Sequence, residues 1–295
     1  MFRIVYVAKG ESITVTDNWL VIKDEHGKES KVPVDDIYTL FLENVHIRIS
    51  VYALQYLSNS GVNIVCCNAK NMPACMVQPF SMHYRPYGVL KKQLALTTSF
   101  KNLIWQWIVK AKIMNQYFVA KAVGVEKDVV ERLRQLADEV LPGDTGNREA
   151  IAAKMFFRNF YGCDFIRFAD DILNCALNFG YTIMRSAVAR ALTSYGYNCA
   201  LGVHHINEAN AFNLADDFME PFRPLVDQWV REHNDELVDE LSKQNKLGLI
   251  NLLNAEVNWN NKIMKLHNAL DRYVASFITA IDSADVNKLL IPRII

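Results

Sequence analysis

Over roughly the first eighty residues, apolar and polar positions come in short alternating runs; after that the period changes. FRIVYV, SITVTD, WLVIKD, ESKVPV, IYTLFLE and VHIRISV are rich in β-branched and aromatic residues and predict strands. EHGK between two of them predicts a hairpin with Gly27 near its tip. In SVYALQYLSNSGV, Val51, Leu54 and Leu57 keep helical spacing up to Gly61, which predicts a short helix with a glycine end. NIVCC reads as a buried strand and ACMVQP as another, while Pro79, Pro86 and Gly88 mark a connector.

From Lys91 onward apolar positions recur at helical spacing. LALTTSFKNLIWQWIVKAKIMNQYFVAKAVG predicts one long helix ending at Gly124. Residues 126–140 predict a second, amphipathic helix closed by LPGDTG, and AIAAKMFFRNFY predicts a third. DILNCALNFGYTIMRSAVARALTSYG predicts a fourth, ending at Gly196. Another begins after His205, and residues 235–282 hold one or two more. The expected class is α+β: a small N-terminal β-rich domain over residues 1–85, then a larger all-helical domain over residues 86–295.

With 51% hydrophobic and 22% charged residues the chain can bury a real core. Its formal net charge of zero removes any global electrostatic argument for a nucleic-acid or membrane partner, so a DNA site needs local segregation of charge. Such segregation exists. Residues 85–134 hold ten Lys/Arg against three Asp/Glu, and residues 205–240 hold ten acidic against two basic. Solvated helix faces would give the same counts; so would a basic phosphate-binding face beside an acidic metal pocket. None of the six cysteines forms a CxxC pair, and most lie in apolar runs, which favours buried free thiols over disulfides or zinc. MFRIVYVAKG lacks the features of a secretory leader, and no run is long and apolar enough to span a bilayer. The expectation is a soluble cytoplasmic protein without a membrane partner.

The stretch ALGVHHINEANAFNLADDFMEPFRP, residues 200–224, carries the candidate chemistry. His204 and His205 follow a glycine; Asp216, Asp217 and Glu220 come about a dozen residues later. Asp217 and Glu220 are three apart and share a face if helical. Imidazole plus carboxylate suits Mg²⁺ or Mn²⁺ rather than a thiolate zinc site. Pro221 and Pro224 start or bend a helix there, because neither has an N–H to bond back one turn. A third carboxylate is needed, and Glu149 is the choice, at a helix start beside the small residues Ala150, Ala152 and Ala153. Each feature alone also fits ordinary structure. Glu149 favours the positive end of its own helix, a histidine beside apolar residues packs in cores, and DxxE pairs are common on solvated helix faces. No P-loop, dinucleotide fingerprint, GxSxG or HExxH is present.

Taken in order along the chain, these motifs resemble those of one family, the CRISPR-associated spacer-acquisition integrases. GNREAIAAKMFF is similar to the family's Glu-x-x-Ala-Ala segment at Glu149, Ala152 and Ala153. DILNCALNFGYTIMRS is similar to its Asn-x-x-Leu-Asn-x-Gly-Tyr helix at Asn174, Leu177, Asn178, Gly180 and Tyr181. LGVHH is similar to Gly-x-x-His, which selects His205 over His204. FNLADDFMEPFRP is similar to the hallmark Leu-x-x-Asp-x-x-Glu-Pro-Phe-Arg-Pro, from Leu214 to Pro224. Asn213 stands where many members have serine, and the preceding loop is neutral rather than Arg-rich. The chain looks most like the compact type II members found beside a single-protein RNA-guided effector nuclease.

The resemblance implies a metal-dependent DNA endonuclease and integrase that joins a protospacer to a CRISPR repeat array by attack of a DNA 3′-hydroxyl. Glu149, His205 and Glu220 would be the metal ligands and Asp217 a fourth catalytic residue, as ligand or as support behind one. It also implies a homodimer built through the β-rich domain, a small ferredoxin-like partner subunit, and the effector nuclease as a further partner. Arg85, Lys91, Lys92, Lys101 and Arg223 are the candidate phosphate contacts. The alternative expectation is a non-catalytic DNA-binding scaffold of the same fold, with a structural metal or none.

Overall fold

A computed structural model describes residues 3–79 and 82–295. The chain forms two compact units, Met1–Tyr84 and Arg85–Ile295. The first contains β1 (Arg3–Val7), β2 (Ser12–Thr16), β3 (Trp19–Lys23), β4 (Glu29–Pro33), β5 (Ile37–Leu42), β6 (Arg48–Ile49), α1 (Val51–Asn59), β7 (Asn63–Cys67) and β8 (Pro73–Val77). Every strand read from the sequence is there; Phe2 of the first run lies outside the described residues.

One sheet has the order β1-β5-β7-β8, with β1, β5 and β7 parallel and β8 antiparallel at the edge. β5 is buried along its whole length, which is why IYTLFL reads as a continuous run rather than an alternation. The other sheet has the order β4-β3-β2-β6. The β2–β3 turn is Asp17-Asn18, both with positive φ as a two-residue hairpin turn of this hand requires. Ser50 caps α1, whose Ala53 and Leu57 are buried in one cluster with Ile13, Leu20, Leu40 and Ile64.

The second unit contains α2 (Pro86–Leu94), α3 (Thr98–Ala122), α4 (Lys127–Asp138), α5 (Arg148–Tyr161), α6 (Ile172–Ser194), α7 (Asn213–Met219), α8 (Arg223–Glu232), α9 (Lys243–Asn251), β9 (Glu256–Trp259), β10 (Lys262–Lys265), α10 (Leu266–Ser283) and β11 (Arg293–Ile294). Two expectations are corrected. The long helix does not run on from Leu94: the Thr97 hydroxyl accepts from the Phe100 N–H and starts α3 afresh, while Pro86 occupies the first turn of a separate helix, α2. Nor is this unit all-helical. β9, β10 and β11 form a small antiparallel sheet, and the β9–β10 turn is Asn260-Asn261, both with positive φ. Asparagine tolerates that conformation, so NWNNK is a hairpin signal.

α3 packs on α4, α5 and α8, and α6 packs on α7, α8, α9 and α10. Gly180 sets the α6–α8 approach, since a Cβ there would lie 2.4 Å from Val226 Cγ1.

Candidate active site

The stretch chosen from sequence folds as two helices joined at a bend. α7 ends at Met219, Glu220–Phe222 form a single 3₁₀ turn, and α8 begins at Arg223. Pro221 and Pro224 cannot donate backward, which is the reason for the break. The Pro221 carbonyl accepts from Asn115 Nδ2 of α3 at 2.7 Å, so the turn is fastened to the long helix. α7 and the turn thereby carry Asp216, Asp217 and Glu220 into the interior; all three are buried.

Asp217 has no exposed side-chain surface. Its carboxylate accepts the backbone N–H groups of Val203, His204 and His205 at 2.7, 3.1 and 3.1 Å. The same carboxylate holds His205 Nδ1 at 2.6 Å. With the Nδ1 proton donated to Asp217, the Nε2 lone pair of His205 is left available to a ligand. That hydrogen bond, opposed by burial, raises the pKa of His205 above its ordinary value. Gly202 makes the wrap possible: a Cβ there would lie 2.2 Å from the His205 carbonyl oxygen and 2.9 Å from Asp217 Oδ2. His204 turns elsewhere and stacks flat on Trp105 at 4.0 Å, while His205 meets the same indole edge-on at 5.7 Å. Asn213 donates to the carbonyls of Ala200 and Asn207 and ties this loop to α7.

Glu149 and Glu220 come together from different elements. Asp144 accepts the N–H groups of Arg148 and Glu149 and so fixes the first turn of α5, from which Glu149 projects. Between the two glutamates sits the ammonium of Lys112, from α3, 2.6 Å from Glu149 Oε1 and 2.5 Å from Glu220 Oε2. The Glu149 contact is a hydrogen bond, and the Glu220 contact is a buried ion pair. Arg223 Nε lies 2.8 Å from Glu220 Oε1. Burial works against the charge of Glu220, but Arg223 and Lys112 outweigh it and hold the carboxyl below its usual range. Burial likewise opposes the charge on Lys112, and Glu220 and Glu149 outweigh it.

Behind this group Arg223 lies 4.6 Å over the Tyr181 ring, and the Tyr181 hydroxyl donates to Asp227. Burial pushes the Asp227 carboxyl up to about 7, against the pull of Tyr181 and Arg223. Asp216 belongs to a separate pair: Arg185 approaches it through Nε and Nη2 at 2.5 and 3.0 Å.

Among the described residues no three His, Cys, Asp or Glu side chains converge closely enough to hold a metal as they stand. The donor set nevertheless suits a divalent cation. Two carboxylates from different elements already share one cation, Lys112. Asp217 is engaged on both oxygens by the loop and by His205, which leaves it a supporting position rather than a ligand's.

The basic candidates separate. Arg85, Lys91 and Lys92 are exposed and Lys101 is half-buried, but Lys92 pairs with Asp282 at 2.5 Å and Arg223 is committed to Glu220. Lys112 was not among the residues expected from sequence. A signal for it exists: it continues the buried stripe of Trp105, Ile108 and Val109 at helical spacing, where a lysine requires a partner.

A family model described as CRISPR associated protein Cas1 matches residues 4–240. The chain belongs to the Cas1 family. The CRISPR-associated endonuclease Cas1 of Neisseria meningitidis serogroup C is 36% identical over 296 residues, which cover 100% of this chain and 97% of that one. A Cas1 endonuclease of Francisella tularensis subsp. novicida is 24% identical, covering 86% of this chain and 88% of that one. Solved structures share the fold. A Cas1 protein from Thermotoga maritima matches with a TM-score of 0.75 and 16% identity over 95% of this chain and 97% of that chain. A casposase bound to integration product matches with 0.77 and 16% over 97% and 94%. Within this Cas1 fold the mixed α+β class read from sequence holds. Among the described residues, no helix is long and apolar enough to cross a membrane.

Proposed function

We propose that the chain is a divalent-metal-dependent DNA endonuclease and strand-transfer integrase, which inserts short DNA fragments into a CRISPR repeat array. The observation that carries this reading is the convergence of Glu149 and Glu220 on one cation; a third ligand is supplied by His205, whose ring is oriented by the buried Asp217. Family membership supports it, as does the likeness to a casposase bound to integration product.

Glu149, Glu220 and Nε2 of His205 would hold one Mg²⁺ or Mn²⁺. Such an ion, when bound, would polarise a phosphodiester and lower the pKa of an attacking hydroxyl. The chain's own residues prepare the place. Asp217 fixes the ring and tautomer of His205, Arg223 holds one oxygen of Glu220, and Tyr181 holds Arg223. Arg85, Lys91, Lys92 and Lys101 are the candidates for phosphate contacts that position DNA without reading its sequence. With imidazole among the donors, activity should be stronger in Mn²⁺ than in Mg²⁺ at matched concentration.

In the same reading the N-terminal unit mediates homodimerisation, and a small ferredoxin-like subunit bridges two dimers; similar chains occur in a complex described as Cas6-RT-Cas1–Cas2. The RNA-guided effector nuclease is a further proposed partner. The test is a strand-transfer assay with the small subunit, Mn²⁺, a duplex with free 3′ ends and a supercoiled plasmid carrying a repeat. Covalent joining should occur with the wild type and be lost in Glu149→Ala, His205→Ala and Glu220→Ala, each still folded and DNA-binding. Joining that survives these changes would refute the assigned site.

A further inference from the structure

Lys112 is placed where the proposed function puts a metal. Its side chain is 11% exposed and rises from the buried stripe of α3. Its ammonium is shared by Glu149 and Glu220, two of the three proposed metal ligands. A buried ammonium is costly without partners, and a buried carboxylate beside a half-buried one is repelled by it without a cation between them. Each therefore stabilises the other. A divalent cation held by both glutamates would take over the charge balance that the ammonium now supplies, so the two cations compete for the pair. Glu149 is 25% exposed against 4% for Glu220, so solvent reaches the pair on the Glu149 side.

We infer that Lys112 is a built-in counter-cation: it holds Glu149 and Glu220 together in the metal-free protein and must leave when a divalent ion binds, so that its charge sets the metal concentration at which the site fills. This rests on the metal-site reading above and adds a competitor to it. A lysine that only supported the fold would weaken metal binding when removed, through loss of order. A competing lysine does the opposite.

The experiment is titration of metal-free protein with Mn²⁺ alone, followed by calorimetry, for wild type, Lys112→Gln and Lys112→Arg. Lys112→Gln is expected to lower the melting temperature of the metal-free protein while tightening Mn²⁺ binding by about tenfold or more. Lys112→Arg keeps the charge and should stay within about threefold of wild type. Unchanged or weaker Mn²⁺ binding by Lys112→Gln, with binding by wild type intact, would overturn the inference and leave the metal site standing. Failure of the wild type to bind Mn²⁺ at all would overturn both. A measurement on wild type alone covers the case in which Lys112→Gln does not fold. Acetylation of Lys112, read by peptide mass spectrometry, should be low without metal and rise when Mn²⁺ is added; labelling that stays flat or falls would overturn the inference.

Discussion

His205 and Asp217 are twelve positions apart and function as a unit, because one carboxylate binds both the imidazole and the backbone that carries it. Asp217→Asn keeps the shape but replaces an acceptor by an N–H₂ that faces other donors. Metal-dependent strand joining should fall by roughly 10- to 100-fold, measured as initial rates, with the variant's secondary structure retained. The same pair predicts a pH dependence. Hydrogen bonding to Asp217 raises His205 above 6.5, so in metal-free protein its stabilisation is complete below pH 6.5 and is lost as pH rises through the higher folded value. The melting-temperature gap between wild type and His205→Asn should therefore narrow from about pH 6 to about pH 9. A gap that widens with pH would contradict the pairing.

The helices hold these residues by close approach and by buried polar links, and sequence reveals the two unequally. Strands of the first unit were legible because half-buried runs of Val, Ile and Tyr between turn residues have few other uses. Glu149, His205, Asp217 and Glu220 were legible as ordered motifs, although no one of them stands out singly. Lys112 was missed because lysine in a helix reads as surface, and only its phase relative to Ile108 and Trp105 shows otherwise. The Thr97 break is hidden in the sequence because Leu94 and Leu96 carry apolar spacing across a cap, and the β9–β10 hairpin because its four-residue strands are too short to show alternation around Asn260-Asn261. At the α6–α8 contact, Tyr181 and Asp227 form one buried link. Burial pushes the Asp227 carboxyl from its ordinary 3.8 up to about 7 in the folded state, so between those pH values the folded state holds a proton that the unfolded chain has released. Stability from this group accordingly falls as pH rises from about 4 to about 7. Asp227→Asn should flatten that slope in a series of urea melts across the range; an unchanged slope would place the proton elsewhere.

For the whole molecule, zero net charge means that the proposed DNA binding draws on a local basic face. Binding of a short duplex should weaken steeply with salt, and Lys91→Ala should reduce the slope of log affinity against log salt by about one. An unaltered slope would remove Lys91 from the interface. Beneath all of this lies the claim that three side chains from α5, the loop after α6 and the bend after α7 form one metal site. The measurement that tests it most directly is the anomalous scattering of Mn²⁺ in a crystal of the protein soaked with that ion. A single peak touching Glu149, Glu220 and Nε2 of His205, with Asp217 still on Nδ1 and the Lys112 ammonium gone from between the glutamates, is the expected result. A peak that engages other residues, or none at this place when Mn²⁺ is saturating, would contradict it.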